Sequence, residues 1–194
     1  MNREEALSYV REILPAKRYI HTLGVVETAK ALAESIGEDA EKAELAAILH
    51  DMAKYQSRDK LKQIIIDQNL DMRLLDFHHE LWHGPVAAHL AKAELGIESE
   101  EVLLAIRYHT TGRANMTKLE QIVYLADYIE PGRKFPGVEK VREIAYTDFD
   151  KAMRKAVKQS ILFLIEKKQR VFPDSLDCYN DLMLQKEKLK YERN

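Results

Sequence analysis

The stretch Leu45-Ala46-Ala47-Ile48-Leu49-His50-Asp51-Met52-Ala53-Lys54 (LAAILHDMAK, residues 45–54) sets an imidazole and a carboxylate side by side at the end of an apolar helical run. A nitrogen and an oxygen of these kinds are what borderline and harder divalent cations accept. Adjacent positions offer both to one ion, or to two ions bridged by the carboxylate. Metal-assisted chemistry is therefore the leading reading of the chain.

Outward from this stretch, apolar residues return at three- and four-residue steps almost throughout, and no strand-like alternation persists, so the fold class is all-α. Ile20, Leu23, Val26, Ala29, Leu32, Ala33 and Ile36 form one stripe that stops at Gly37, which predicts a helix over 16–36 with a glycine cap. The next helix is expected from near Asp39, with Ala43, Ala46, Ala47 and His50 along one side. Further helices are expected over 58–68, 85–95, 99–109, 118–130, 138–146, 150–168 and 178–190. Loops are expected at His83-Gly84-Pro85, at Gly112, and from Pro131-Gly132 through Pro136-Gly137. No repeat, low-complexity tract or linker divides the chain. Its 194 residues suit one domain over 1–194, a helical bundle with the metal site between central helices in a core of about 16–133 and C-terminal helices over 138–190.

Composition narrows the function classes. Basic and acidic residues number 30 and 32, so no general electrostatic drive towards nucleic acid or an acidic membrane surface exists, and phosphate binding has to be local. The single cysteine, Cys178, excludes an intrachain disulfide and a thiolate metal cluster and fits a reducing cytoplasm. No stretch approaches the roughly 20 apolar residues that span a bilayer, and the start MNREEALSYV lacks the apolar segment of a secretory signal. A cytoplasmic protein with no membrane partner is expected. A homodimer is compatible with the sequence, although nothing in it argues for one.

Five segments place polar residues on otherwise apolar helical faces: His21, His50 with Asp51, His83, His109 and Asp127. Asp127 ends the run Leu119-Glu120-Gln121-Ile122-Val123-Tyr124-Leu125-Ala126, where an uncompensated charge would be costly, so it needs a cation or strong donors. His83 precedes Gly84-Pro85 and so lies near a helix N-terminus, and His109 ends the helix that starts near Ser99. Each of these residues alone is more often a packed or capping residue, but the joint pattern favours a metal site. His78 and His79 read as solvated, and His89 reads as a packing residue.

The order His21, His50-Asp51, Asp127, with His83 and His109 between, resembles the HD superfamily of metal-dependent phosphohydrolases. Five extended pieces sharpen the match: Arg18 to Val25, Leu49 to Lys54, Trp82 to Ala88, Tyr108 to Gly112 and Tyr124 to Arg133. They look like the YqeK family of symmetrical bis(5'-nucleosyl)-tetraphosphatases, which split diadenosine tetraphosphate into two ADP. The resemblance runs from about residue 5 to 183. It implies that His21, His50, Asp51 and Asp127 hold iron, and that His50, Asp51, His83 and His109 carry the catalysis. In it, His83 and His109 either complete a second metal position bridged by Asp51 or point at the phosphates. From donor chemistry alone, manganese, zinc and nickel suit the nitrogen and oxygen set as well as iron.

A dinucleoside polyphosphate or ADP-like nucleotide needs fixed cations for its phosphates. Arg18, on the helical face of His21, with Lys54 and Arg133 beside the motifs, are the candidates, together with His21, His83, His109 and Thr110. The segment Arg170 to Leu176 is read as a Pro-broken loop in which Arg170 and Ser175 can cradle a nucleoside. Trp82, Tyr19, Tyr108, Tyr128 and Phe172 are candidate stacking partners for a base, although aromatics at helical spacing are usually core. Three rival readings stay open at this point. They are another phosphohydrolase of the same superfamily (a nucleoside monophosphate phosphatase or a guanosine polyphosphate hydrolase), a non-catalytic nucleotide sensor, and a helical scaffold with structural histidines.

Overall fold

The computed structural model describes residues 1–191, with side chains through Lys188, and the last residues of the expected domain, 192–194, lie outside it. It is all-α: α1 (Arg3–Ile13), α2 (Ala16–Ile36), α3 (Ala40–Leu49), α4 (Arg58–Asp67), α5 (His83–Ala93), α6 (Glu100–Tyr108), α7 (Lys118–Ile129), α8 (Val138–Ala145), α9 (Phe149–Glu166) and α10 (Pro173–Tyr191). Two short 3-10 turns, Met72–Asp76 and His79–Leu81, join α4 to α5.

Small side chains let the central helices approach. Ala29 and Ala33 on α2, Ala43, Ala46 and Ala47 on α3, Ala105 on α6 and Ala126 on α7 are all fully buried. Backbones that close leave little room for anything but the ends of a few chosen side chains. α2 packs on α3 and α7, α6 packs on α5 and α7, and α3 touches both α6 and α7. The C-terminal helices form an outer layer, with α8 and α9 against α7 and α10 against α9. One continuous apolar core runs from Ala6 in α1 to Leu182 in α10.

Several local expectations change. α1 is a helix the apolar stripe analysis passed over. Asn2 and Glu5 cap it reciprocally, and it buries Ala6 and Val10. Ile20, counted into the α2 stripe, is 69% exposed, because the buried face of that helix is carried by Val25, Val26, Ala29, Leu32 and Ala33. The α2 terminus behaves as expected, with Gly37 left-handed at φ 76°. His83-Gly84-Pro85 is the first turn of α5 and not a loop. A proline there removes only an N–H that has no helical acceptor. Likewise Pro173 opens α10, so the expected break over 170–176 contains a helix start.

Two arginine clamps fix the loops that carry site residues. Arg113 donates from Nε and Nη2 to the two oxygens of Glu120 at 2.7 and 2.9 Å, tying the loop after His109 to the first turn of α7. Glu120 is fully buried and also takes the Thr117 N–H at 2.8 Å. Arg142, on α8, donates to the carbonyls of Ile129, Glu130 and Arg133 at 2.8, 3.0 and 3.2 Å, which holds the loop after α7. Removing the cation from a buried pair strands its carboxylate. Arg113→Ala should therefore lower the unfolding free energy by on the order of 3 kcal/mol, read as a lower urea midpoint at unchanged slope, and Arg113→Lys should restore only part of it.

Candidate metal centre

Three of the four central histidines are built to one local rule. His50 follows the last residue of α3, His83 opens α5, and His109 follows the last residue of α6. Each donates its Nδ1 hydrogen to the carbonyl three residues back: His50 to Ala47 at 2.6 Å, His83 to Glu80 at 2.7 Å and His109 to Ile106 at 2.7 Å. His21, inside α2, gives its Nδ1 hydrogen to Glu130 Oε1 at 3.0 Å. With every Nδ1 hydrogen engaged, the neutral tautomer puts the lone pair on Nε2. All four Nε2 atoms therefore turn their lone pairs inward.

They converge on two carboxylates. His21 Nε2 lies 3.0 Å from Asp127 Oδ1 and 3.7 Å from Asp51 Oδ2, and His50 Nε2 lies 3.1 Å from Asp51 Oδ2. On the other side of the same carboxylate, Asp51 Oδ1 is 3.1 Å from His83 Nε2 and 3.9 Å from His109 Nε2. His83 and His109 bring their Nε2 atoms within 3.0 Å of each other. Gly84 permits that approach, since a side chain there would stand 2.8 Å from the Arg107 carbonyl and 3.4 Å from the His109 ring.

Lone pairs and carboxylate oxygens at such spacings repel unless a cation stands among them. Nε2 of His21 and of His50 are buried with no hydrogen-bond partner, a state normally too costly to persist. With coordination bonds of about 2.0–2.2 Å, neighbouring ligand atoms sit roughly 3.0–3.6 Å apart, which matches the four shorter contacts just given. His21, His50 and Asp127 form one such group, and His50, Asp51 and His109 form another. The residues thus fit divalent cations, with Asp51 presenting one oxygen to each side.

The electrostatics agree. Burial works against ionisation of Asp51, but the adjoining His50 and His83 outweigh it and hold its carboxyl well below the usual carboxylate range. Burial likewise opposes charge on Asp127, where the neighbouring His21 ring and the Arg133 guanidinium win and lower it. For His109, burial together with His50 and His83 pushes the imidazole down to about 3, leaving it neutral and free to act as a ligand at physiological pH.

The expected phosphate contacts are placed unevenly. Arg18 Nη1 donates to Asp51 Oδ2 at 2.8 Å, and Arg133 holds Asp127 from Nε to its carbonyl at 2.8 Å and from Nη2 to its carboxylate. Thr110 Oγ1, next to His109, is buried without a partner. Lys54 pairs with Glu80 at 2.6 Å on the rim of a cleft of about 240 Å³ that ends on His83. Arg170 instead donates to the Asp76 carbonyl at 2.8 Å, tying the segment before α10 to the first 3-10 turn, and Ser175 is buried in the first turn of α10. Their reading as a nucleoside cradle took the segment for an open loop, which the α10 start replaces.

Three of the five candidate aromatics are committed elsewhere. Trp82 Nε1 donates to the Leu74 carbonyl, Tyr128 donates to Gln159, and Phe172 packs edge-on to Phe77 in the core. The aromatic that faces the cleft is Tyr55, 56% exposed, beside Arg58 and His79. The sequence reading missed it, and missed Glu130, whose position three residues after Asp127 puts it one helical step along the same face.

A model of the HD domain family matches residues 18–132. The symmetrical bis(5'-nucleosyl)-tetraphosphatase of Bacillus subtilis is 51% identical over 183 residues, covering 94% of this chain and 98% of the relative. The protein of the same name from Halalkalibacterium halodurans is 49% identical, covering 95% and 99%. A crystal structure from Clostridium acetobutylicum, described as a predicted HD superfamily hydrolase involved in NAD metabolism, superposes with a TM-score of 0.90 at 38% identity, covering 95% of this chain and 98% of that one.

Asp51 faces both groups of histidines, so its loss should cost more than the ~10–100-fold in metal affinity that follows removal of an outer partner of a ligand. Asp51→Ala is expected to keep its helical circular dichroism and to retain less than one equivalent of transition metal on elemental analysis.

Proposed function

This chain belongs to the HD domain family, and we propose that it is a metal-dependent hydrolase that cuts diadenosine tetraphosphate symmetrically into two ADP. The observation that carries the reading is the Asp51 carboxylate, whose oxygens face His21 and His50 on one side and His83 and His109 on the other. Near-full-length likeness to tetraphosphatases of this kind supports the substrate. Iron is the proposed metal, held by His21, His50, Asp51 and Asp127, with a second ion on Asp51, His83 and His109. Manganese, zinc or nickel suit the same nitrogen and oxygen donors.

Divalent ions in such a site lower the pKa of water to near neutrality and polarise phosphoryl oxygens. The chain supplies the rest. His83 and His109, fixed by their Nδ1 bonds, cannot swing away from the reacting phosphorus. Arg18 and Arg133 keep guanidinium hydrogens beyond those spent on Asp51 and Asp127, and these can take phosphate oxygens. Lys54 and Arg58 line the cleft that opens from His83, and Tyr55, which lines the same cleft beside Arg18, offers a face for a base. The leaving group is ADP, whose charge these cations offset. The continuous core supports one domain over the described chain. No helix among the described residues is long and apolar enough to cross a membrane, and cytoplasmic work on a free nucleotide is the matching proposal.

Purified, iron-loaded protein is expected to convert diadenosine tetraphosphate to ADP alone, read by ion-exchange chromatography of the products. ATP with AMP would reject the symmetrical cut, and inertness would reject the substrate. Lys54→Ala should lower kcat/KM about tenfold, the loss of one charge-assisted hydrogen bond of roughly 1.5 kcal/mol. Most of that change should appear in KM.

A further inference from the structure

Three histidines of the centre hand their Nδ1 hydrogens to main-chain carbonyls, whereas His21 hands its hydrogen to a carboxylate. Glu130 is buried, at 4% exposure. Its Oε2 accepts the Gly132 N–H at 2.6 Å while Oε1 takes His21. Two missing side chains keep its place open. A Cβ on Gly24 would stand 2.7 Å from Glu130 Oε2, and one on Gly132 would stand 2.9 Å from Oε1. Gly24 lies inside α2, where glycine is destabilising relative to alanine. The close approach of Glu130 accounts for it.

We infer that Glu130 is a positioning residue for the metal centre, acting through His21 so that the ion on the His21, His50 and Asp127 side is held more tightly than the ion on the His83 and His109 side. A carboxylate behind an imidazole fixes its tautomer and ring plane and makes the far nitrogen a stronger donor than a carbonyl does. The inference rests on the two-ion reading above. It assigns the two positions different strengths from their outer partners alone.

A glutamine at 130 has one acceptor oxygen for two donors, Gly132 N–H and the His21 Nδ1 hydrogen. Either the loop bond is lost, or the amide NH2 faces Nδ1 and drives the ring proton onto Nε2, where it blocks the ligand atom. Gly24→Ala tests the same contact with Glu130 kept, by pushing on Oε2. Alanine strengthens a helix, so this variant cannot act by unwinding α2.

The experiment titrates Mn2+ into metal-stripped, full-length protein. Free ion is followed by electron paramagnetic resonance and binding by calorimetry, and the thermal midpoint of each metal-free protein is measured alongside. Glu130→Gln is expected to weaken the tighter binding step by about 10–100-fold and to leave the weaker step within about twofold. Gly24→Ala should weaken the same step in the same direction, with a metal-free midpoint no lower than wild type. An unchanged tighter step in Glu130→Gln overturns the inference. So does equal weakening of both steps together with lowered metal-free midpoints in both variants, which would make Glu130 a loop anchor only. No substrate enters the measurement, so failure of the proposed hydrolysis leaves its result intact.

Discussion

The fold is organised around a buried negative charge. Asp51 is 2% exposed at the end of an apolar helix, and an ion there without partners loses several kcal/mol of hydration that nothing returns. What returns it is the Arg18 guanidinium from α2 and the cation that a ring of imidazoles from helices far apart in sequence would hold: His21 from α2, His50 beside Asp51, His83 from α5 and His109 from the end of α6. Each imidazole is locked at its outer nitrogen, so the inner nitrogens have one direction left to point. The core can tolerate this polar centre only because alanines draw α2, α3, α6 and α7 close enough to seal it.

Preorganisation therefore comes from backbone geometry more than from the site residues themselves. A histidine at the edge of a helix finds a carbonyl three residues back whatever its neighbours are, so three ligands need only the right helix boundary. The loops after His109 and after α7 have no such rule, and arginines hold them instead: Arg113 on Glu120, Arg142 on three carbonyls. Charged clamps at the periphery thereby hold the geometry of the histidine interior.

The parts legible in the sequence are those where burial and polarity conflict. Asp127 inside a buried run, and His50 with Asp51 after five apolar residues, announce a compensating partner because a lone charge there cannot persist. Helix existence was equally legible from the period of α2, although its phase at Ile20 was not, since a stripe counted from the exposed end drifts off the true face. Glu130 was illegible for the opposite reason. Beside Pro131-Gly132 it looks like a solvated loop acid, and only the approach of α2 at Gly24 makes it a buried one. The loop expected over Arg170 to Leu176 gave way to a helix start because Pro173 reads equally well as a break and as the first residue of a helix.

The centre is asymmetric, while the proposed substrate has two identical halves. Arg18 and Arg133 stand on the His21 side, Lys54 and Arg58 line the cleft that opens from His83, and Tyr55 lines that cleft while adjoining Arg18. A site that mirrored the substrate would need a twofold axis through Asp51, and one chain of this topology offers none, since α2 with α7 and α5 with α6 present different outer partners to the ligands. The identity of the halves removes the need. Either end of the dinucleotide can enter either flank and arrive at the same bond, so each flank is free to specialise, one for holding charge against the ligand carboxylates and the other for releasing a nucleotide into an open cleft. Symmetry of the products then follows from the substrate and from the distance between the flanks, without symmetry in the protein.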